Sequence, residues 1–159
     1  MLRYEQQNDG GAGIILTDQV LAIMQQYRQI TEEDREAGGQ LFARFQGQDT
    51  IIVEATPPRP SDRRTHMRFR PNRKQQQQEI NERYDRGLHF VGDWHTHPEL
   101  FPRPSAEDFA SMEDCYKRSI HELRAFILVI VGTAQTPGGV SVVLITKGAT
   151  KTMKCTHSC

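Results

Sequence analysis

Two histidines one residue apart, followed by an aspartate, are the side chains best placed to do chemistry in this chain. They lie in His95-Thr96-His97-Pro98 and Ser105-Ala106-Glu107-Asp108, with seven residues between His97 and Ser105. In an extended segment, side chains two apart face the same way, so both imidazoles point at one spot. Asp108 falls in the first turn of the helix that Ser105 would open and can reach that spot from the side. Two nitrogens and a carboxylate oxygen form the three-ligand set of a catalytic zinc, with the fourth position open to water. Such a site brings the pKa of bound water to about 7, so hydroxide is available near neutrality.

Each half of the pattern also has a plain reading. A His-x-His pair can sit on a solvated strand end. Ser105-x-x-Asp108 fits a helix capping box, with Ser105 as N-cap and Asp108 at the third helical position. The joint pattern carries more weight, because both plain readings must then coincide at one fixed spacing.

The elements that must carry these residues follow from periodicity and punctuation. Thr17 can cap a helix whose apolar positions Val20, Ile23, Met24 and Tyr27 recur at three and four residues. Gln40–Phe45 and Thr50–Ala55 read as strands joined by a turn over residues 46–49. Residues 57–73 read as a Pro/Arg-rich loop insertion without regular structure, because four prolines punctuate it. Loops of that length are often lids. Lys74–Arg86 reads as a helix stopped by Gly87. Leu88–Trp94 is a strand running into the histidine pair, and a helix follows from Ser105 to about Arg118. Ala125–Val131 is an apolar run of the kind found in buried central strands. After the Gly138-Gly139 turn, Val140–Lys147 pairs back, and the tail over 148–159 reads as a fraying edge strand. Strands alternate with helices and hairpins are present, so the expected class is α/β, a mixed sheet flanked by helices in a single domain over residues 1–159.

Composition removes several function classes. Twenty basic and twenty acidic residues cancel, so no overall field steers the molecule toward nucleic acid or a membrane surface. No apolar run approaches the roughly 20 residues of a membrane span. The polar N-terminus lacks a signal-peptide core, which makes the cytoplasm the expected compartment. Cys115, Cys155 and Cys159 have no disulfide spacing, although Cys155, His157 and Cys159 together could bind a soft metal.

His-x-His, seven residues, Ser-x-x-Asp resembles the JAMM motif of the MPN-plus (Mov34/PAD-1, JAB) zinc metallopeptidases, matched at His95, His97, Ser105 and Asp108. Val91-Gly92-Asp93-Trp94 ahead of the histidines and Pro104 ahead of Ser105 resemble that family's surroundings. The resemblance covers about residues 14–147. It implies a cytidine-deaminase-like JAB/MPN fold with a partly curled sheet and one Zn2+ per active site. It also implies an upstream glutamate acting as general base, for which Glu36 is preferred over Glu32 and Glu33 because Gly38-Gly39 follow it closely. Ser105 would donate a hydrogen bond to the developing oxyanion. The strand after Glu36 departs from the family's short aliphatic pattern, reading Gln40-Leu41-Phe42-Ala43-Arg44-Phe45.

Among these families, the chain is most similar to the small stand-alone deconjugating peptidases of CBASS-type antiphage operons, on its Pro/Arg loop, Gln-rich helix and Gly-Asp-Trp-His-Thr-His-Pro strand. That implies cleavage after the C-terminus of a ubiquitin-like or similarly conjugated protein, beside E1- and E2-like ligation enzymes. The substrate tail could add as a strand at the site. Residues 57–86 carry nine basic and four acidic residues, so Arg63, Arg64 and Arg68 are candidate substrate contacts, set against the reading of a solvated face. Trp94 could serve as core or as a substrate wall. Three rivals stand beside this reading. One is a metal-free MPN scaffold, which the intact ligand set argues against. Another is the RadC-like DNA-repair group, whose usual Ser-Gly after His-Pro is Glu99-Leu100 here. The third is a peptidase of cell-wall or phage-tail material, which would more often carry a partner domain or export signal.

Overall fold

A computed structural model describes residues 1–6, 11–119, 121 and 123–158, with the side chains of His157 and Ser158 excepted. Eleven strands and three helices occur among these residues. The main sheet takes in β1 (Leu2–Glu5), β2 (Gly13–Leu16), β3 (Gly38–Gln46), β4 (Asp49–Ala55), β7 (His89–Thr96), β8 (Phe126–Val131), β9 (Val140–Thr146), β10 (Ala149–Thr152) and β11 (Lys154–Ser158). Its order is β10-β9-β8-β7-β3-β4-β2-β1-β11. The β7–β8 and β2–β4 pairs are parallel and the others antiparallel, so the sheet is mixed, as the alternation of elements predicts.

Met153 alone separates β10 from β11, yet these strands stand at opposite ends of the order. The sheet must therefore curl until its two edges come near each other. The tail thus supplies both edges: β10 pairs with β9, and β11 pairs with β1. Strands β1 and β2 are an addition to the sequence reading. At four residues each they are too short to show a period, and Gly-rich residues adjoin them.

Helix α1 (Asp18–Gln26) is capped by Thr17 and buries Val20, Leu21 and Met24 in the larger core, with Leu41, Ile52, Trp94 and Val129. Helix α3 (Ala106–Arg118) buries Met112 against Phe126, Leu128, Ile130, Val143 and Ile145, a second cluster. Strand β8 is buried along its whole length, as its unbroken apolar run predicts.

The Pro/Arg segment differs from expectation. It contains a small hairpin, β5 (Arg63–Arg64) with β6 (Phe69–Arg70), before α2 (Arg73–Asp85) begins at its Asn72 cap. The prolines at 57, 58, 60 and 71 lie outside the paired residues, so they limit the hairpin's length without preventing it. The segment is also tied down. Asp62 accepts from the backbone N–H of Arg59 and of Asn72, both at 2.7 Å, and the Arg59 guanidinium bridges Glu79 of α2 and Gln40 of β3. No helix among the described residues is long and apolar enough to cross a membrane.

Candidate metal centre

The site forms where the start of β3, the end of β7 and the N-terminus of α3 converge. Gly38 pairs with His95 across β3 and β7, and the pairing continues outward: Thr96 N–H donates to the Ala37 carbonyl at 2.8 Å, and Ala37 N–H donates to Thr96 Oγ1 at 2.9 Å. Glu36, one residue further, is thereby placed beside the histidines. The two glycines after it are there for close approach. A Cβ on Gly39 would lie 1.8 Å from the Thr56 carbonyl oxygen, and one on Gly38 would lie 2.6 Å from that of Trp94. Any side chain there would push β3 off its neighbours and carry Glu36 with it.

Donor atoms of Glu36, His95 and His97 all lie within 4.8 Å of one another, a grouping that could hold a metal ion. Asp108 faces the same point from α3. Its Oδ1 is 3.2 Å from His95 Nε2 and its Oδ2 is 3.2 Å from His97 Nε2. The capping box is present too: Ser105 Oγ accepts from Asp108 N–H at 3.1 Å, and Asp108 Oδ2 accepts from Ser105 N–H at 2.7 Å. The plain reading therefore holds for Ser105 and Asp108, and it leaves the Asp108 carboxylate facing both imidazoles. The cap fixes the rotamer that aims the carboxylate at the imidazoles.

The electrostatics support a cation between these groups. Burial disfavours the charged form of Asp108, but the two imidazoles 3.2 Å from its oxygens outweigh it and hold the carboxyl well below the usual range. Burial likewise opposes the His97 imidazolium, yet the hydrogen bond and charge of Asp108, with Glu36 and Glu99 behind it, raise its pKa overall. Glu36, 9% exposed, is shifted up by burial, with the two histidines opposing. His95 Nε2 and His97 Nδ1 are buried without a hydrogen-bond partner. Buried polar atoms are normally satisfied, so the orphaned His95 Nε2, set among N and O donor atoms, suits a cation ligand.

Two residues that sequence reasoning missed hold this geometry. Gln29, 2% exposed, accepts from the fully buried Thr96 hydroxyl at 2.9 Å through Oε1. Its Nε2 donates to the carbonyls of His66 at 2.7 Å and Asp34 at 3.4 Å. One amide thus joins the histidine strand, the approach to Glu36 and the tip of the β5–β6 hairpin. A polar residue just past a helix gives no sequence signal of this kind. The hairpin also grips Glu36 directly: Thr65 O accepts from Glu36 N–H at 2.7 Å, and Arg64 Nε donates to Glu36 O at 2.9 Å.

The remaining candidates fall on different sides. Arg63 and Arg68 are exposed, whereas Arg64 is engaged with the Glu36 backbone and stacks over Tyr27 at 5.8 Å. Trp94 is 1% exposed, with its Nε1 donating to Thr56 O at 2.9 Å, so it is core and not a substrate wall. Side-chain alternation explains this, since Trp94 faces away from His95. Burial pushes the Asp93 carboxyl up to about 6, with the charges of Arg73, His95 and Arg59 opposing. Of the tail's possible metal ligands Cys155 is exposed, while Cys159 and the side chain of His157 lie outside the described residues.

The strand, histidine pair and capped helix define a JAB-type domain. Comparison agrees: the family described as prokaryotic homologs of the JAB domain matches residues 18–147, and the chain belongs to it. Over 122 residues it is 31% identical to a "CD-NTase/cGAS isopeptidase" of Vibrio cholerae serotype O1, covering 75% of this chain and 76% of that protein. A protein of the same name from Escherichia coli (strain TW11681) is 30% identical over 122 residues, again 75% of this chain and 76% of the relative. The solution structure of protein DSY2949 from Desulfitobacterium hafniense shares the fold, with a TM-score of 0.63 at 23% identity over 87% of this chain and 88% of that one. The family and the names of these relatives together support a hydrolase.

Proposed function

We propose that this protein is a zinc isopeptidase of the JAMM type that cuts after the C-terminus of a ubiquitin-like or similarly conjugated protein. The observation that carries the proposal is the convergence of Glu36, His95 and His97, with Asp108 3.2 Å from each imidazole. His95, His97 and Asp108 would hold the zinc, which when bound polarises the scissile carbonyl and activates water. Glu36 is the better proton carrier than ligand, because burial favours its neutral form. Its carboxylate takes a proton from water and later gives it to the leaving amine. Ser105 Oγ accepts from the helix, which leaves its own O–H free to donate to the carbonyl oxygen as negative charge develops there.

The named activity of the relatives supports a conjugated protein as substrate. A cytoplasmic role in antiphage defence beside E1- and E2-like ligation enzymes is the extension that the resemblance of the sequence motifs implies. Arg63 and Arg68, exposed beside the site, would meet an acidic face of that substrate. Raising salt should then raise KM in the wild type and have a weaker effect once both arginines are replaced. An unchanged salt response in the double variant would remove them from the substrate surface.

The direct test is cleavage of a model fusion bearing a ubiquitin-like C-terminal tail by the purified protein. Activity should require zinc and vanish in Glu36→Ala and His97→Ala. Cleavage that survives either substitution would sink the mechanism.

A further inference from the structure

The ring of His97 has two ends, and only one of them faces the metal centre. Nε2 lies 3.2 Å from Asp108 Oδ2, which turns Nδ1 away from the cluster. Nδ1 is buried without a hydrogen bond. Its nearest charged neighbour is Glu99, whose Oε1 stands 3.6 Å away, just beyond hydrogen-bond range. We infer that Glu99 is a positioning residue for His97, accepting a hydrogen bond from Nδ1–H and so aiming the Nε2 lone pair at the metal centre. This rests on the metal reading proposed above.

The argument begins with the tautomer. A neutral imidazole carries one N–H, so a ring that offers Nε2 as a lone-pair donor must bear its proton on Nδ1. A buried N–H needs an acceptor, and metal-binding histidines commonly find a carboxylate or carbonyl. Glu99 is held for this task at two points. Its carbonyl accepts from Thr133 N–H at 2.7 Å, and its Oε2 accepts from Arg103 N–H at 3.4 Å. Its Oε1 remains toward His97, and the side chain is about half exposed, so a small rotation closes the remaining gap. Because Arg103 lies two residues before Ser105, the same carboxylate ties His97 to the loop that delivers Asp108.

The test is zinc affinity of the full-length protein, measured by competition with a chromogenic chelator, for wild type, Glu99→Gln and Glu99→Ala. Glu99→Ala should lose about 10–100-fold in affinity, the usual effect of removing such a partner. Glu99→Gln keeps an acceptor oxygen without its charge and should lose less. Metal-free thermal unfolding should stay near wild type in both, whereas a purely structural role would lower it and spare the affinity of the folded fraction. Nitrogen NMR of the His97 ring should show the Nδ1–H tautomer in the wild type and a shifted equilibrium in Glu99→Ala. Wild-type zinc affinity in Glu99→Ala would overturn the role of Glu99 alone. A wild type that binds zinc no better than His97→Ala would overturn the metal reading and this inference with it.

Discussion

Two polar clusters lie along β3 and β7, one around Arg59 and one around His95 and His97, and they treat their polar atoms in opposite ways. Arg59 directs Nε to Glu79 at 2.6 Å, Nη2 to Glu79 and to Gln40 at 3.2 Å, and Nη1 to Asp62 at 3.5 Å. Every nitrogen of the guanidinium is matched. In the histidine cluster, two buried imidazole nitrogens have no hydrogen bond. Isolated orphans such as Tyr4 Oη and Asp93 Oδ1 occur elsewhere, but each histidine orphan faces a carboxylate: His95 Nε2 stands 3.2 Å from Asp108, and His97 Nδ1 3.6 Å from Glu99. The satisfied cluster ties the fold together; the unsatisfied one brings together donor atoms that could hold a metal ion.

This contrast can be broken at its functional side first. Glu36→Gln should cut kcat/KM by about 10²–10⁴, the usual contribution of a general acid–base group. Metal-free stability should hold or rise, because burial disfavours the carboxylate. Steady-state kinetics and urea unfolding on the same samples would check both. A loss of stability in step with activity would make Glu36 a structural residue.

The Arg59 cluster should respond the other way. Arg59→Ala leaves Glu79 without its partner, although Asp62 keeps its two backbone N–H donors, and breaking a buried pair costs about 3–5 kcal/mol. Denaturant unfolding should show that loss, while the folded fraction still binds one zinc. Ser105→Gly tests whether the helix cap also serves the chemistry. Glycine costs a helix cap only a few tenths of a kcal/mol, but loss of an oxyanion donor lowers kcat by about 10²–10³. A variant that loses stability and keeps kcat would leave Ser105 as a cap and nothing more.

The ease with which each cluster could be read follows from sequence distance. His95, His97, Ser105 and Asp108 lie within one strand–loop–helix unit, so local periodicity carries their geometry. The strands β3, β4, β7, β8 and β9 were visible for the same reason. The short strands β1 and β2 were not, since four residues each are too few to show a period and their partners beyond each other are remote in sequence: Leu2 sits opposite Ser158, and Ile15 opposite Ile51. Gln29 could not be found from sequence, because its contacts to Thr96 and His66 span 67 and 37 residues. Arg59 and Arg64 read as members of one basic run, although their partners make one an internal tie and the other a grip on Glu36.

Thr96 offers the finest test, because it stands between the two histidines but does no chemistry. Its hydroxyl donates to Gln29 and accepts from Ala37 N–H, so Thr96→Val strands both groups in a fully buried place. That should cost about 1–3 kcal/mol. Gln29→Leu removes the other end of the same link and frees the hairpin's His66 carbonyl. If the network acts as one unit, the double variant should be less damaged than the two single losses added together, by about 0.5–3 kcal/mol. Activity should follow the same pattern, because the hairpin and the histidine strand are joined through this amide. Strict additivity in both stability and kcat would mean that Gln29 only fills space, and that Glu36 is positioned by Arg64 and Thr65 without it.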